Sequence, residues 1–320
     1  MNKDQRQTEP NVLKKFANLL GTKVKNRRLD IPERYGKGYC KGFVFNEHIR
    51  MLILNYELTD NFVITNPDTD VPPRMLLFKF QNVFSALGQT ASGSQVKAVP
   101  SVLIATRTMN ADVVIPIHSH TATINIEVDA DYLNGLFASL LISPVLKGLL
   151  QNTQPFLFEQ MMYPSLQKIV YEIVTESVDE TFKLFFLRVK AEELICRLLM
   201  ELEKRDEKRL YALNIHDIQT LYKVKAQMLE HLETPPVIKD LAVAANMSPS
   251  KMKRLFRQIF GNSIFSYYQE FRMKEAARLL KEERQSVTDV GHQLGFTNLS
   301  HFSRVFKEHI GEKPKQYSRS

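Results

Sequence analysis

The sequence predicts an α+β protein: a β-rich N-terminal sandwich or small barrel, then a helical region, then an all-helical C-terminal third. Three observations carry this. Between Tyr39 and about Val128, short runs rich in Val, Ile, Leu and Phe are separated by turn residues. Near Asp129 the apolar spacing changes from two residues to three or four. From Ile215 onward the chain reads as helical, and one helix–turn–helix pattern occurs twice.

At 320 residues the length suggests about two domains, each large enough for a core. The hydrophobic fraction of 44% is that of a globular protein, not a disordered chain. No apolar run approaches the roughly 18 residues of a membrane span, and the polar start, MNKDQRQTEPN, predicts no signal peptide. Cys40 and Cys196 lie far apart without metal-type spacing, so two buried thiols in a reducing cytoplasm are expected. The net charge is +8, and Ser248–Ser320 holds most of it, with 14 Lys/Arg against seven Asp/Glu. A basic C-terminal region points to a polyanionic partner.

After a loose tail of ten residues, an amphipathic helix is expected from about Asn11 to Asn26. The runs CKGFVFNEHIRMLILNYEL, NFVITNP, RMLLFKFQNVF and SVLIATR read as strands; TDN, NPDTDVPP and GQTASGSQ read as turns. IPIHSHTATINIEV alternates apolar and polar residues from Ile115, as a half-buried strand does. Many short strands of this kind suggest antiparallel pairing in a sandwich or barrel.

DADYLNGLFASLL opens with acidic residues that favour a helix N-terminus. PFLFEQMMYPSLQKIVYEIVTES and ETFKLFFLRVKAEELICRLLMELEKR are expected to form two further helices. In the second, Leu184, Leu187, Ala191, Leu194, Ile195, Leu198 and Leu202 form a stripe. The stripe either packs inside the chain or forms a homodimer seam through residues 182–203. The charge run EKRDEKR, from Glu203 to Arg209, marks a linker. The expected domains are a β-rich sensor at 1–135, a helical coupling or dimerisation region at 136–209, and a helical domain at 210–320.

In that last domain, VIKDLAVAANM (Val237 to Met247) aligns with SVTDVGHQLGF (Ser286 to Phe296). SPSKMKRLFRQIFG then aligns with TNLSHFSRVFKEHIG, with one extra residue in the second turn. Each unit is a short helix, a tight turn and a second helix; the small Ala242 or Gly291 lets the two helices approach. In the second helix, Phe302, Val305 and Phe306 form an apolar face opposite Asn298, Ser300, His301, Ser303 and Arg304. Such a division suits a helix that locks onto a scaffold and offers short polar or basic groups to a DNA groove. A helix of about 20 residues joins the units; at 1.5 Å per residue it spans about 30 Å, close to the roughly 34 Å between successive major grooves.

These residues also carry a family resemblance. GF-x-x-x-S-x-F-S-R-x-F-K-x-x-x-G-x-x-P-x-x-Y, from Gly295 to Tyr317, with LFRQIFG and FRMKEAARLL upstream, resembles the DNA-binding domain of AraC/XylS-type bacterial transcription regulators. The resemblance implies a double helix-turn-helix binding double-stranded DNA, a bacterial cytoplasmic location and contact with RNA polymerase. It also implies an N-terminal half that senses a small-molecule effector or dimerises. Carried over residue by residue, it assigns DNA contacts to Ser250, Lys251, Lys253 and Arg254 in the first unit. In the second it assigns them to Asn298, Ser300, His301, Ser303 and Arg304. The chain departs from the family in having Gly291 for the usual Ala, and Ser318 for the Arg that commonly follows the last Tyr. RYGKGYCKGFVFNEHIRMLILNYEL and the helices after it resemble the subgroup that includes the pyochelin regulator.

His118 and His120 stand two apart on the expected strand, as at the start of a cupin metal site. The carboxylate such a site wants is replaced by Ile124, and the next histidine is His216, so no metal and no cofactor is expected. The N-terminal expectation is therefore a cupin-like sandwich or barrel without metal. No nucleophile elbow, phosphate-cradling glycine loop, H-E-x-x-H or paired carboxylate is recognisable, and Gly numbers only 12, so an enzyme is not expected. The competing readings are a cupin-type metal enzyme or sensor using His118 and His120, and an architectural DNA binder without a ligand.

Overall fold

The computed structural model describes residues 10–59, 74–83, 99–106, 120–137, 142–205, 211 and 213–319. They form two compact units, one ending at Leu213 and the other running from Asn214.

The first unit opens with helix α1 (Asn11–Leu19), shorter than its sequence pattern suggested. Strands β1 (Arg28–Asp30), β2 (Gly36–Val44), β3 (Ile49–Leu58), β4 (Met75–Gln81), β5 (Ser101–Thr106) and β6 (His120–Asp129) follow. Then come helices α2 (Ala130–Leu136) and α3 (Pro144–Gln151), strand β7 (Leu157–Met161), and helices α4 (Pro164–Thr175) and α5 (Glu180–Glu203). The strands make one seven-stranded sheet in the order β1-β2-β3-β6-β4-β5-β7, antiparallel throughout. Antiparallel pairing was the expectation from the many short strands separated by turns.

Alternation sorts the sheet residues. Ile124, Ile126 and Val128 of β6, with Phe78, Phe80 and Met51, share one core with Leu146, Leu166, Leu194 and Leu198 of α3, α4 and α5. Cys40, Tyr56 and Leu58 join Leu13 and Phe16 of α1, and Leu20 just after it, in a second cluster. Burial pushes the Cys40 thiol pKa far up, so it stays protonated and inert. Cys196, by contrast, is exposed, against the expectation of two buried thiols.

β7 corrects the sequence reading, which ran a helix through PFLFEQMMYP. Leu157, Phe158, Glu159 and Met161 are all buried, so the run shows no alternation to mark it as a strand. α4 begins only at Pro164, whose missing N–H costs nothing at the first helical position. α3 was not anticipated. Ser143 caps it by accepting from Leu146 N–H at 3.2 Å, and the Ser143 N–H donates to the Glu203 carboxylate at the end of α5.

The α5 stripe also resolves. Leu187, Ala191, Leu194, Ile195, Leu198 and Leu202 are buried within the unit's own core, with Leu184 packed against it. A different face of the helix carries exposed Phe182, Phe185, Val189 and Met200. The linker residues 206–210 and the candidate ligand His118 lie outside the described residues.

The second unit is all helical: α6 (Ile215–Glu230), α7 (Ile238–Ala244), α8 (Pro249–Phe260), α9 (Ile264–Lys281), α10 (Val287–Gln293), α11 (Leu299–Ile310) and α12 (Pro314–Tyr317). α7 with α8, and α10 with α11, are the two helix–turn–helix units. α9, between them, packs against both.

Candidate nucleic-acid interface

The duplication is visible atom by atom in the turns. Met247 N–H donates to the Ala242 carbonyl at 3.0 Å, and Phe296 N–H to the Gly291 carbonyl at 2.9 Å. Each bond closes the same six-residue wrap at a helix C-terminus. The wrap needs one left-handed residue, supplied by Asn246 (φ 48°) in the first unit and Gly295 (φ 76°) in the second. Asn tolerates that conformation because its short side chain bonds locally. Gly295 is required more strictly, since a Cβ there would overlap the carbonyl oxygen of Glu233. Gly291 reflects the close helix approach predicted from its size: a Cβ on it would lie 2.6 Å from Leu299 Cδ2.

The second helix of each unit is capped alike. Ser248 Oγ accepts from Lys251 N–H at 3.3 Å; Asn298 Oδ1 accepts from His301 N–H at 3.0 Å. Such a cap contributes about 1 kcal/mol. α8 ends at Gly261 and α11 at Gly311. Inward, Met252, Leu255, Phe256 and Ile259 of α8, and Phe302, Val305 and Phe306 of α11, are buried. Full burial of each such side chain stabilises by about 1.5–3 kcal/mol. Beyond the helices the repeat continues: Tyr267 stands edge-on to Phe256 at 5.7 Å, as Tyr317 does to Phe306 at 5.6 Å.

The sequence-derived site residues fall as follows. Ser250, Lys253 and Arg254 are exposed on α8; Ser300, His301 and Arg304 are exposed on α11, with Ser303 half-buried. Lys251 is half-buried, and its ammonium pairs with Asp217 Oδ1 of α6 at 2.8 Å. Asn298 is exposed and spends its side-chain oxygen on the cap. His301 stands edge-on to Phe296 at 5.7 Å. Exposed Arg257 and Lys307 occupy equivalent places one turn after Arg254 and Arg304, a repeat the alignment contained and the sequence reading passed over.

Arg272 was likewise missed as a site residue. It is buried in α9, and both Nε (2.8 Å) and a terminal N–H donate to the carbonyl of Leu294 in the second turn. Burial lowers its pKa from the usual guanidinium value. Tyr268, one turn earlier on α9, donates its hydroxyl to the Leu232 carbonyl at 2.6 Å. α9 therefore fixes the second turn from its own interior, over 18 residues or about 27 Å of helix.

His120 is described as the first residue of β6, and among the described residues no group of three or more His, Cys, Asp or Glu is placed to hold a metal ion.

Two capped helices of this kind, each set on a short helix by a tight turn, define a double helix-turn-helix domain. Residues 241–320 match the helix-turn-helix domain family, and this part of the chain is similar to AraC-type regulators. Over 95 residues the chain is 34% identical to the HTH-type transcriptional regulator GbdR of Pseudomonas aeruginosa, covering 30% of this chain and 26% of that one. Over 71 residues it is 38% identical to the arabinose operon regulatory protein of Escherichia coli, covering 22% and 24%. The regulatory protein PchR of Pseudomonas aeruginosa is 34% identical over 71 residues, covering 22% and 24%. The chain thus spans about a quarter of the length of these curated relatives. Among solved structures it is similar to the DNA-binding domain of AdpA in complex with a target DNA. There the identity is 30%, over 31% of this chain and 90% of that one, with a TM-score of 0.30. Among the described residues no helix is long and apolar enough to cross a membrane.

Proposed function

We propose that the protein is a sequence-specific DNA-binding transcription regulator and not an enzyme. The observation that carries this is the repeated unit, whose two capped helices each present an exposed arginine, Arg254 and Arg304, opposite a buried apolar face. In this reading Ser250, Lys253 and Arg254 of α8, with Ser300, His301, Ser303 and Arg304 of α11, meet double-stranded DNA. Long basic groups there contact phosphates or guanine edges; the short hydroxyls allow close approach. Ser248 and Asn298 hold the helix starts in register.

The sheet-containing unit, read as cupin-like on the strength of its all-antiparallel pairing, is the sensor of a small molecule. An effector that binds one of its arrangements better than another shifts DNA affinity or RNA polymerase contact by that difference in binding free energy. α5 is the dimerisation element. Its support is the exposed row Phe182, Phe185, Val189 and Met200, the wrong surface for a helix meant to face water alone. The protein is placed in the bacterial cytoplasm by the same reading.

Gel-shift titration of the full chain across salt tests the proposal. We expect log affinity to fall linearly with log salt, by about 0.9 for each phosphate neutralised. A flat line rules out phosphate-driven binding. An architectural binder, the reading without a sensor, would give the same slope but no response to any effector.

A further inference from the structure

Lys251 sits in the first turn of α8, beside Ser250 and just before Lys253 and Arg254, where a lysine would be read as a phosphate contact. Its ammonium instead ends 2.8 Å from Asp217 Oδ1. The Asp217 side chain is only 7% exposed, that of Lys251 41%. The other Asp217 oxygen accepts from Asn214 Nδ2 at 2.8 Å, and Asp217 N–H donates to Asn214 Oδ1 at 2.7 Å. Asp217 also lies in the first turn of α6, where the helix N-terminus favours a negative charge. The carboxylate thus has partners in Lys251, Asn214 and the helix N-terminus, with Lys251 as its one positively charged partner among the described contacts.

We propose that Asp217 is a specificity-setting positioning residue that withholds Lys251 from DNA. The inference rests on the DNA-binding reading above and refines which groups of α8 take part. Moving the Lys251 ammonium to a phosphate would strand a buried carboxylate. Leaving a carboxylate that is only 7% exposed without its cation costs more than a single exposed lysine–phosphate contact returns. Lys251 therefore stays on Asp217, and α8 meets the duplex through Ser250, Lys253 and Arg254. Phosphate contacts carry no sequence information, so one fewer makes the first unit more dependent on base edges. The second unit is built differently at the matching place, where His301 stands edge-on to Phe296. Asn214 begins the C-terminal unit, so the clamp also ties the start of that unit directly to its first reading helix.

The test uses the full chain and a mixed-sequence duplex, with affinity measured against salt. Asp217→Asn keeps the size and the Asn214 bond but frees Lys251. We expect the salt slope to steepen by about 0.9 and low-salt affinity for this duplex to rise severalfold. Both changes should vanish in the Asp217→Asn/Lys251→Gln double variant. Lys251→Gln alone should leave the slope where it was. A Lys251→Gln slope shallower by about 0.9 overturns the proposal, because Lys251 then already contacts phosphate. So does a folded Asp217→Asn protein with unchanged slope and affinity. If circular dichroism shows that Asp217→Asn does not fold, the Lys251→Gln slope decides alone. A wild-type chain with no salt-dependent binding defeats the DNA-binding reading itself, an outcome distinct from either.

Discussion

Arg272 lies across the face of Phe296, its guanidinium carbon 3.9 Å from the ring centroid. The same guanidinium bonds the Leu294 carbonyl, so one side chain of α9 grips the turn of the second unit by ring and backbone together.

Arg272→Ala should therefore destabilise the C-terminal unit by about 2–4 kcal/mol, from a charge-assisted bond, a stranded carbonyl and a lost cation–π contact. Arg272→Lys should recover part of this, since an ammonium lacks the planar fork and stacks less well. Urea unfolding followed by far-UV circular dichroism measures both. A loss under about 0.5 kcal/mol for the alanine variant would remove Arg272 from the scaffold.

The two turn residues should behave differently. Gly295→Ala forces a Cβ into the left-handed region, costing about 1–2 kcal/mol, and also into the backbone oxygen of Glu233. Asn246→Gly at the equivalent turn changes only local preference and should shift stability by a few tenths of a kcal/mol. Thermal melts of the two variants compare them directly. Equal shifts would mean that the Glu233 approach does not constrain the second turn.

The second reading helix was legible because each signal in it is local. Phe302, Val305 and Phe306 recur at helical spacing, Asn298 caps the start and Gly311 ends it. The strand Leu157–Met161 was not legible, because residues buried on both faces lose the alternation that distinguishes strand from helix. α5 was legible only in part. Its core stripe at Leu187, Ala191 and Leu194 was readable, but Phe182 and Phe185 sit on another face, and only the fold shows which row is already covered. Lys251 and Asp217 are 34 residues apart, on different helices, so no spacing rule brings them together.

Arg254 and Arg304 occupy matching places in α8 and α11, and truncating them separates two kinds of contact. If Arg254 reads a base, Arg254→Ala should lose about 1–3 kcal/mol at the cognate site and little on mixed sequence. If Arg304 holds phosphate, Arg304→Ala should weaken every duplex alike and lower the salt slope by about 0.9. Titrations on specific and mixed duplexes measure both quantities. An arginine whose loss changes neither has no place at the interface.

The exposed row on α5 gives a prediction that does not depend on DNA at all. Phe182 is 62% exposed and Phe185 70%, three residues apart on one face, with Val189 four further on. Burying two such rings against a second copy would recover about 1.5–3 kcal/mol for each ring fully covered. A carboxylate in their place would be desolvated without a partner. Phe185→Asp should thus convert a dimer to a monomer in light scattering while leaving the melting temperature of the monomer nearly unchanged, because Phe185 contributes little to its own unit's core. Leu194→Asp supplies the contrast: it is buried and should unfold the unit outright. A wild-type chain with the mass of a monomer at every concentration tried would leave the row on α5 without a second copy to face.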